Sequence, residues 1–483
     1  MIACAQDVAV LAAGIIAHLA YFKKGEHDQN APKYAKGVFV SLISLVLAQR
    51  LYAGLPWASS LWQSARTVGL FLCGIYASLL HYRLFSHPLN RFPGPGMGVR
   101  ISDLWMSVQL KNRDMHRLTL DYYNKYGPYV RVGSSTLMIA DPQAVAAIHG
   151  PESACRKAAM YDFEQPNRGI ATRDKDLHAG RRRVWSQGFG DRALRGYEAR
   201  VAVYIQLLLD TLKSSAGKAV NAAHLMDYFA FDVMGDLGLS QDFGMLKNDR
   251  THEAIGQLVE GLTIMAFRLP MWLLHVLASL PFVPTEETTG FLGFCYGALD
   301  RMMKDEQRGA RPSIMAPLLA HFEKQPPLER DLSVIRNDCR FIIVAGSDTV
   351  AATLGFVMYY LAENPKHVKK LRQELLPLRS ADGTFKHQHI QNASHLNGVI
   401  NEALRLHPPA STIMRITPPE GITIGETFVP GDMTVFSSQY VIGRSESNYE
   451  KASEFVPERW YSRPEMVKNT AGYAPFSTGM SNK

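Results

Sequence analysis

"FIIVAGSDTVAATL" (Phe341–Leu354) lies in the middle of a long apolar pattern whose spacing predicts one helix from Asp331 to Glu363. Gly346, Ser347, Asp348 and Thr349 are all poor interior helix formers. A buried Asp-Thr pair costs free energy unless it is hydrogen-bonded. Thr349 can bond back to the carbonyl of Ala345, which loosens the helical ladder and opens a groove. The plainer alternative is a helix–helix contact made with small residues, and this stretch alone leaves both open.

Three further stretches carry charge in helical register. In "NEALRLHPP" (Asn401–Pro409), Glu402 and Arg405 share a helix face at i,i+3, and Pro408-Pro409 ends the helix. They form either a surface ion pair of little worth or a buried pair completed by a third charge. "FVPERW" (Phe455–Trp460) offers Arg459 for that. In "LHAGRRRVW" (Leu177–Trp185), His178 and Arg182 share a face at i,i+4, suited to an anionic group. Taken alone, a basic solvated face accounts for that pattern equally simply.

The chain has 483 residues, 47% hydrophobic and 20% charged, so a substantial core is possible and wholesale disorder is not expected. The net charge of +8 is scattered, with one cluster at Arg181-Arg182-Arg183. That distribution suits an anionic membrane surface or an acidic protein partner. With no zinc-finger spacing and no long basic stripe, no nucleic-acid partner is expected. Cys4, Cys73, Cys155, Cys295 and Cys339 include no CxxC pair, which points to a reducing compartment for the bulk of the chain.

The first 85 residues read as a membrane anchor. Apolar stretches cover residues 8–22, 37–55 and 67–82, each close to the roughly 20 residues that a span needs. Lys23, Lys24, Lys33 and Lys36 fall in the first loop, and Arg83 and Arg91 follow the third stretch. The positive-inside rule then places the first loop and everything after residue 83 in the cytosol. One anchor with two amphipathic surface segments is the alternative. "HPLNRFPGPG" (His87–Gly96) follows as a Pro/Gly hinge over residues 86–96. From residue 97 the pattern is mainly helical with a small, segregated β region. "YVRVGSSTLMIADP" (Tyr129–Pro142) is predicted to form a hairpin, and Thr417–Phe436 reads as short strands and turns.

Taken in order, these motifs resemble the cytochrome P450 family of the membrane-anchored fungal type. The order is proline hinge, His-x-x-x-Arg, AGSDT, Glu-x-x-Arg, Pro-Glu-Arg-Trp and a final Phe-x-x-Gly. The match covers roughly the last four fifths of the chain, with 97–483 as the catalytic domain. The resemblance implies a P450-like fold, a haem cofactor, a lipophilic small-molecule substrate and an NADPH-dependent flavoprotein reductase on the same membrane. It gives Asp348 and Thr349 the role of an acid–alcohol pair relaying protons to dioxygen at the haem, in a groove lined by Ala345 and Gly346. Glu402, Arg405 and Arg459 become a structural triad, and His178, Arg182 and Arg415 of "STIMRIT" hold haem propionates. The family's haem loop, Phe-x-x-Gly-x-x-x-Cys-x-Gly, is matched by Phe476 and Gly479. Its axial cysteine falls in register with Lys483, and no cysteine follows Cys339.

The leading expectation is a haem-thiolate monooxygenase of the endoplasmic reticulum, multi-pass and cytosol-facing, that tailors a secondary metabolite. An inactive truncated relic, or a non-enzymatic membrane protein that binds a ligand, is the alternative. Substrate choice is expected to sit in "YDFEQPNRGIATRD" (Tyr161–Asp174) and "LTIMAFRLPMWLL" (Leu262–Leu274). An amine at Lys483 supplies none of a thiolate's electron push. These 483 residues, expressed with a reductase, are therefore expected to give no thiolate-type Soret band in the reduced carbon monoxide difference spectrum. A full band would refute that.

Overall fold

The computed structural model describes residues 2–110, 112, 114–162, 169–281, 290–305 and 313–478. Three N-terminal helices come first: α1 (Ile2–Ala17), prolonged by a π-helical turn to Phe22, α2 (Ala31–Tyr52) and α3 (Trp57–His81). All three are long and apolar enough to cross a membrane. Helical structure begins before each of the three apolar stretches, because backbone hydrogen bonding propagates through the flanking polar residues, but α2 stops at Tyr52, short of the expected end at 55. α1 and α3 touch at their glycines. A Cβ at Gly14 would lie 2.1 Å from the Phe71 carbonyl oxygen, and one at Gly74 would lie 2.2 Å from that of Leu11. Backbone approach of this kind is how apolar helices gain packing energy without a hydrophobic drive. His18 Nδ1 and Ser78 Oγ, 2.8 Å apart, add a polar link between the same two helices.

The α1–α2 loop does not stop at the membrane bundle. Glu26 pairs with Arg173 at 2.7 Å and with Arg156 at 3.2 Å. Asp28 accepts the Trp272 N–H at 3.1 Å. The proline-glycine segment is likewise docked. Leu89 is fully buried, the Arg131 N–H donates to the Pro93 carbonyl at 2.8 Å, and the Arg131 guanidinium reaches Asn90 Oδ1 at 2.5 Å.

The remainder is mainly helical. It contains α4 (Leu104–Gln109), α5 (Gln143–His149), α6 (Lys175–Trp185), α7 (Asp191–Ser214), α8 (Ala222–Leu239), α9 (Met271–Ala278), α10 (Gly290–Lys304), α11 (Leu332–Glu363), α12 (Pro365–Leu375) and α13 (Ser394–Leu406), besides further helices at Met115–Tyr126, Glu253–Met265 and Ala316–Lys324 and shorter turns. The β region is a five-stranded sheet of β1 (Tyr129–Arg131), β2 (Thr136–Ile139), β3 (Arg156–Lys157), β4 (Arg415–Ile416) and β7 (Thr434–Ser437), ordered β1-β2-β7-β4-β3. A hairpin of β5 (Ile422–Ile424) and β6 (Thr427–Val429) stands beside it. The predicted hairpin pairs Val130 with Met138, and the helix after it is capped by Asp141, whose Oδ1 takes the Gln143 N–H at 2.9 Å. α11 also has a membrane-spanning length and hydropathy, but Ile335, Cys339, Ile342 and Ile343 are buried in a core shared with α7, α8 and α10. Its apolar character serves the interior.

The part that follows the proline-glycine segment hangs on one buried carboxylate. Glu402 on α13 is fully buried with Arg405 and Arg459. Its oxygens accept Arg405 Nη2 at 2.7 Å and Nε at 2.8 Å, Arg459 Nε at 3.0 Å, the Val456 N–H at 2.9 Å and Trp460 Nε1 at 2.9 Å. The two arginines spend their remaining donors on carbonyls of Gly443, Glu450, Lys451, Ala452 and Glu454. Burial excludes the surface ion pair as the reading of this helix. Removing one partner of such a set leaves buried charge uncompensated, at about 3–5 kcal/mol. Glu402→Gln, which is nearly isosteric, is expected to lower the unfolding free energy of this part by that amount in a denaturant titration. A change below ~1 kcal/mol would contradict the arrangement.

Candidate functional site

Cations converge where β3 meets β4. The antiparallel register places Lys157 directly opposite Arg415. Like charges so placed repel. Lys157 is pushed down to about 8, first by burial and then by Arg415. His178 on α6 is pushed down to about 4, first by burial and then by Lys157, Arg182 and Arg415. Tyr161 lies between the opposed cations, with Lys157 Nζ 5.4 Å and Arg415 Cζ 5.7 Å from its ring centre. The Arg415 guanidinium otherwise reaches the Tyr161 hydroxyl at 3.4 Å and the Met414 carbonyl at 3.0 Å. A group of cations this close calls for an anionic ligand with more than one acceptor oxygen. His178, Arg182 and Arg415, expected together, are together, and Lys157 is a fourth member that the sequence reading missed.

Arg182 also lines a cavity of about 630 Å³ with Asn401, Tyr473, Ala474, Pro475, Phe476 and Ser477. Sites that take small molecules and cofactors usually span about 300–1,000 Å³. Phe476 of the expected haem loop therefore shares one cavity with a cation of the expected propionate group. Tyr473 holds this wall to α13 by donating to Asn401 Oδ1 at 2.9 Å. The donor set and the cavity fit a flat, apolar cofactor that carries two carboxylates. Gly479 and Lys483 lie outside the described residues, as do residues 163–168 of the first expected substrate loop.

On α11 the Thr349 hydroxyl donates to the Ala345 carbonyl at 2.7 Å, and the Thr353 hydroxyl repeats the bond to Thr349 at 2.8 Å. Asp348 is exposed on α11. The protein around it still desolvates the carboxyl enough to raise its pKa. Asp227 on α8 is raised too, by burial first and then by the neighbouring charge of Asp348. Gly346 faces a helix contact: a Cβ there would come 2.5 Å from Met234 Cε on α8. Small residues thus let α8 and α11 approach, as the plainer reading held, while the Asp-Thr pair stands beside that contact.

An acid–base tie not anticipated from sequence joins α6 to α11. Arg181 pairs with Asp338, both buried, and Asp338 also accepts the Ile170 N–H at 2.9 Å. The adjacent triple arginine hides this division of labour. Arg181 points into the core, Arg183 lies exposed, and Arg182 lines the cavity.

Similarity to known proteins agrees with this geometry. The family profile described as Cytochrome P450 matches residues 95–482. The cytochrome P450 monooxygenase sthD of Phaeosphaeria nodorum is 64% identical over 411 residues, covering 85% of this chain and 86% of that protein. The cytochrome P450 monooxygenase notG' of Aspergillus versicolor is 41% identical over 97% of this chain and 86% of its own length. Tryprostatin B 6-hydroxylase of Aspergillus fumigatus is 40% identical over 96% and 84%. A match across the whole catalytic part, with the cation group and the buried triad in their family order, makes the chain a member of the cytochrome P450 family, among its fungal monooxygenases.

Proposed function

We propose that the protein oxidises a lipophilic small molecule in fungal secondary metabolism, from the endoplasmic reticulum membrane, with its catalytic part in the cytosol. Residues 1–85 form the anchor, 86–96 the connecting segment and 97–483 the catalytic domain. Electrons come from an NADPH-dependent flavoprotein reductase, whose acidic surface would suit the chain's positive charge. The observation that carries this reading is the shared cavity: Arg182 of the cation group and Phe476 of the haem loop line the same space.

Haem, held between the cation group and the haem loop and ligated by the loop's cysteine in a chain continued through Cys-x-Gly, would supply the oxygen activation. The chain's own residues bind and deliver protons. Arg182, Arg415 and Lys157 would pair with the two propionates, and His178, neutral at pH 7, can donate or accept there. Asp348 is exposed to solvent, and the protein beside it raises its pKa above the ordinary carboxylate range, which favours holding a proton to be passed on. Thr349 holds its hydroxyl one residue further along the helix and can pass that proton inward. In a chain continued through the Cys-x-Gly of the haem loop, Thr349→Ala is expected to keep the fold and substrate binding. It should lower product formed per NADPH consumed by about tenfold or more. Unchanged coupling would remove Thr349 from proton delivery.

The cation group makes a second, independent prediction. The folded pKa of His178 lies near 4, below its ordinary 6.5. In that window the unfolded chain binds a proton that the folded one excludes, so stability falls as pH drops from 6.5 towards 4. Propionates beside His178 reverse the bias and raise its pKa. Haemin binding between about pH 4 and 6.5 is therefore expected to take up a proton, read by calorimetry in buffers of differing ionisation enthalpy. His178→Gln should abolish that uptake. Equal uptake in both proteins would place the propionates elsewhere.

A further inference from the structure

Arg268 stands in the stretch Leu262–Leu274, just before α9, and its side chain is partly buried. Its guanidinium touches Thr412 Oγ1, and its Nη1 is 3.7 Å from Met414 Sδ. Among the described residues no carboxylate pairs with it. Burial alone pulls its pKa down to about 10, with no charged neighbour contributing, so it remains a cation at neutral pH. Four buried arginines differ. Arg181 pairs with Asp338, Arg405 and Arg459 with Glu402, and Arg131 donates to the carbonyls of Gly133 and Ser134. A hydroxyl and a thioether are poor partners for a desolvated guanidinium with five donors.

The backbone holds it there on purpose-built geometry. Arg268 has φ +50°, the left-handed region that a non-glycine residue rarely adopts. Its N–H donates to the Met265 carbonyl at 3.0 Å, and its own carbonyl accepts the Ser107 hydroxyl of α4 at 3.0 Å. The position is informative in two directions. Inward, Thr412 and Met414 lead directly into Arg415 of the cation group. Outward, α9 begins three residues later, with Trp272 43% exposed and its N–H held by Asp28 of the anchor loop.

We propose that Arg268 is the substrate-reading cation of this enzyme and that its lipophilic substrate carries a carboxylate or an equivalent anionic oxygen group. This rests on the monooxygenase reading and names the substrate class for it. A fork of donors with only soft acceptors is completed by a planar anion. The exposed apolar residues that flank it, Met265 and Trp272, receive the hydrocarbon part.

The test is calorimetric binding to the full chain in phosphatidylcholine nanodiscs, using dodecanoate and dodecanol, which share a chain and differ in head-group charge. The wild-type protein is expected to prefer dodecanoate by about tenfold or more, with a preference that shrinks as salt rises. Arg268→Gln should lose the preference while keeping dodecanol affinity and thermal stability, and Arg268→Lys should restore part of it. Equal binding of the two ligands by the wild type, or an undiminished preference in Arg268→Gln, would overturn the assignment. A second set of discs containing phosphatidylglycerol separates the sources of anion. Preference retained there supports a substrate, and preference abolished there assigns Arg268 to a lipid headgroup instead. None of these readouts uses turnover, so failure of a chain continued through the Cys-x-Gly to give a carbon monoxide signature would sink the monooxygenase reading without touching this result.

Discussion

The catalytic part depends on the full satisfaction of one negative charge. Glu402 is removed from water, an arrangement that is tolerable only because both oxygens are fully engaged. Those donors come from three places in the chain: its own helix, the backbone at Val456 and the turn that carries Arg459 and Trp460. The arginines then fasten the segment from Gly443 to Glu454 through its carbonyls. Tyr473, which walls the cavity, is bound to Asn401, the residue next to Glu402. The cofactor-side wall is thus positioned from the same helix turn that holds the charge.

The contrast with the cation group explains where function resides. Around Glu402, one carboxylate lies between two guanidiniums, and the donors left over are taken up by backbone carbonyls of the protein itself. Around Lys157 and Arg415, two cations face each other across paired strands. Lys157 is held there by the Thr172 carbonyl at 2.7 Å, and a local conflict inside an otherwise consistent fold is where function is expected. Arg268 repeats the pattern on a smaller scale, with a single uncompensated cation.

Much of this was legible in the sequence, for identifiable reasons. Glu402 and Arg405 are three residues apart on a strongly periodic helix, so their shared face follows from helical geometry. His178 and Arg182 are legible in the same way. The long helix through Asp348 and the hairpin at Val130–Met138 follow from apolar spacing and turn residues. Pairings across distance were not legible. Lys157 sits on a two-residue strand too short to show a pattern, and only the register with β4 sets it against Arg415. Arg181 differs from its two arginine neighbours by rotation about the helix, and Asp338 lies 157 positions away. Arg268 looks like one polar residue in an apolar run until its partners at 412 and 414 come into view. Gly346 is open to two readings in the sequence, and the structure shows the close helix contact with Met234.

The loop at Glu26 and Asp28 gives the membrane helices a second office. A plain tether would let the catalytic part swing and would serve equally well if exchanged for any other apolar helix. Here the loop grips Arg156 and Arg173 with one carboxylate and the first turn of α9 with the other. Arg156 is the strand neighbour of Lys157, and Trp272 lies four positions beyond Arg268. These contacts fix the N-terminal helices against the part of the chain that follows the hinge. A version with residues 1–85 removed would lose the braces beside both Lys157 and Arg268. Such a truncated enzyme would be a different lock, with the same bolt and a looser keyhole.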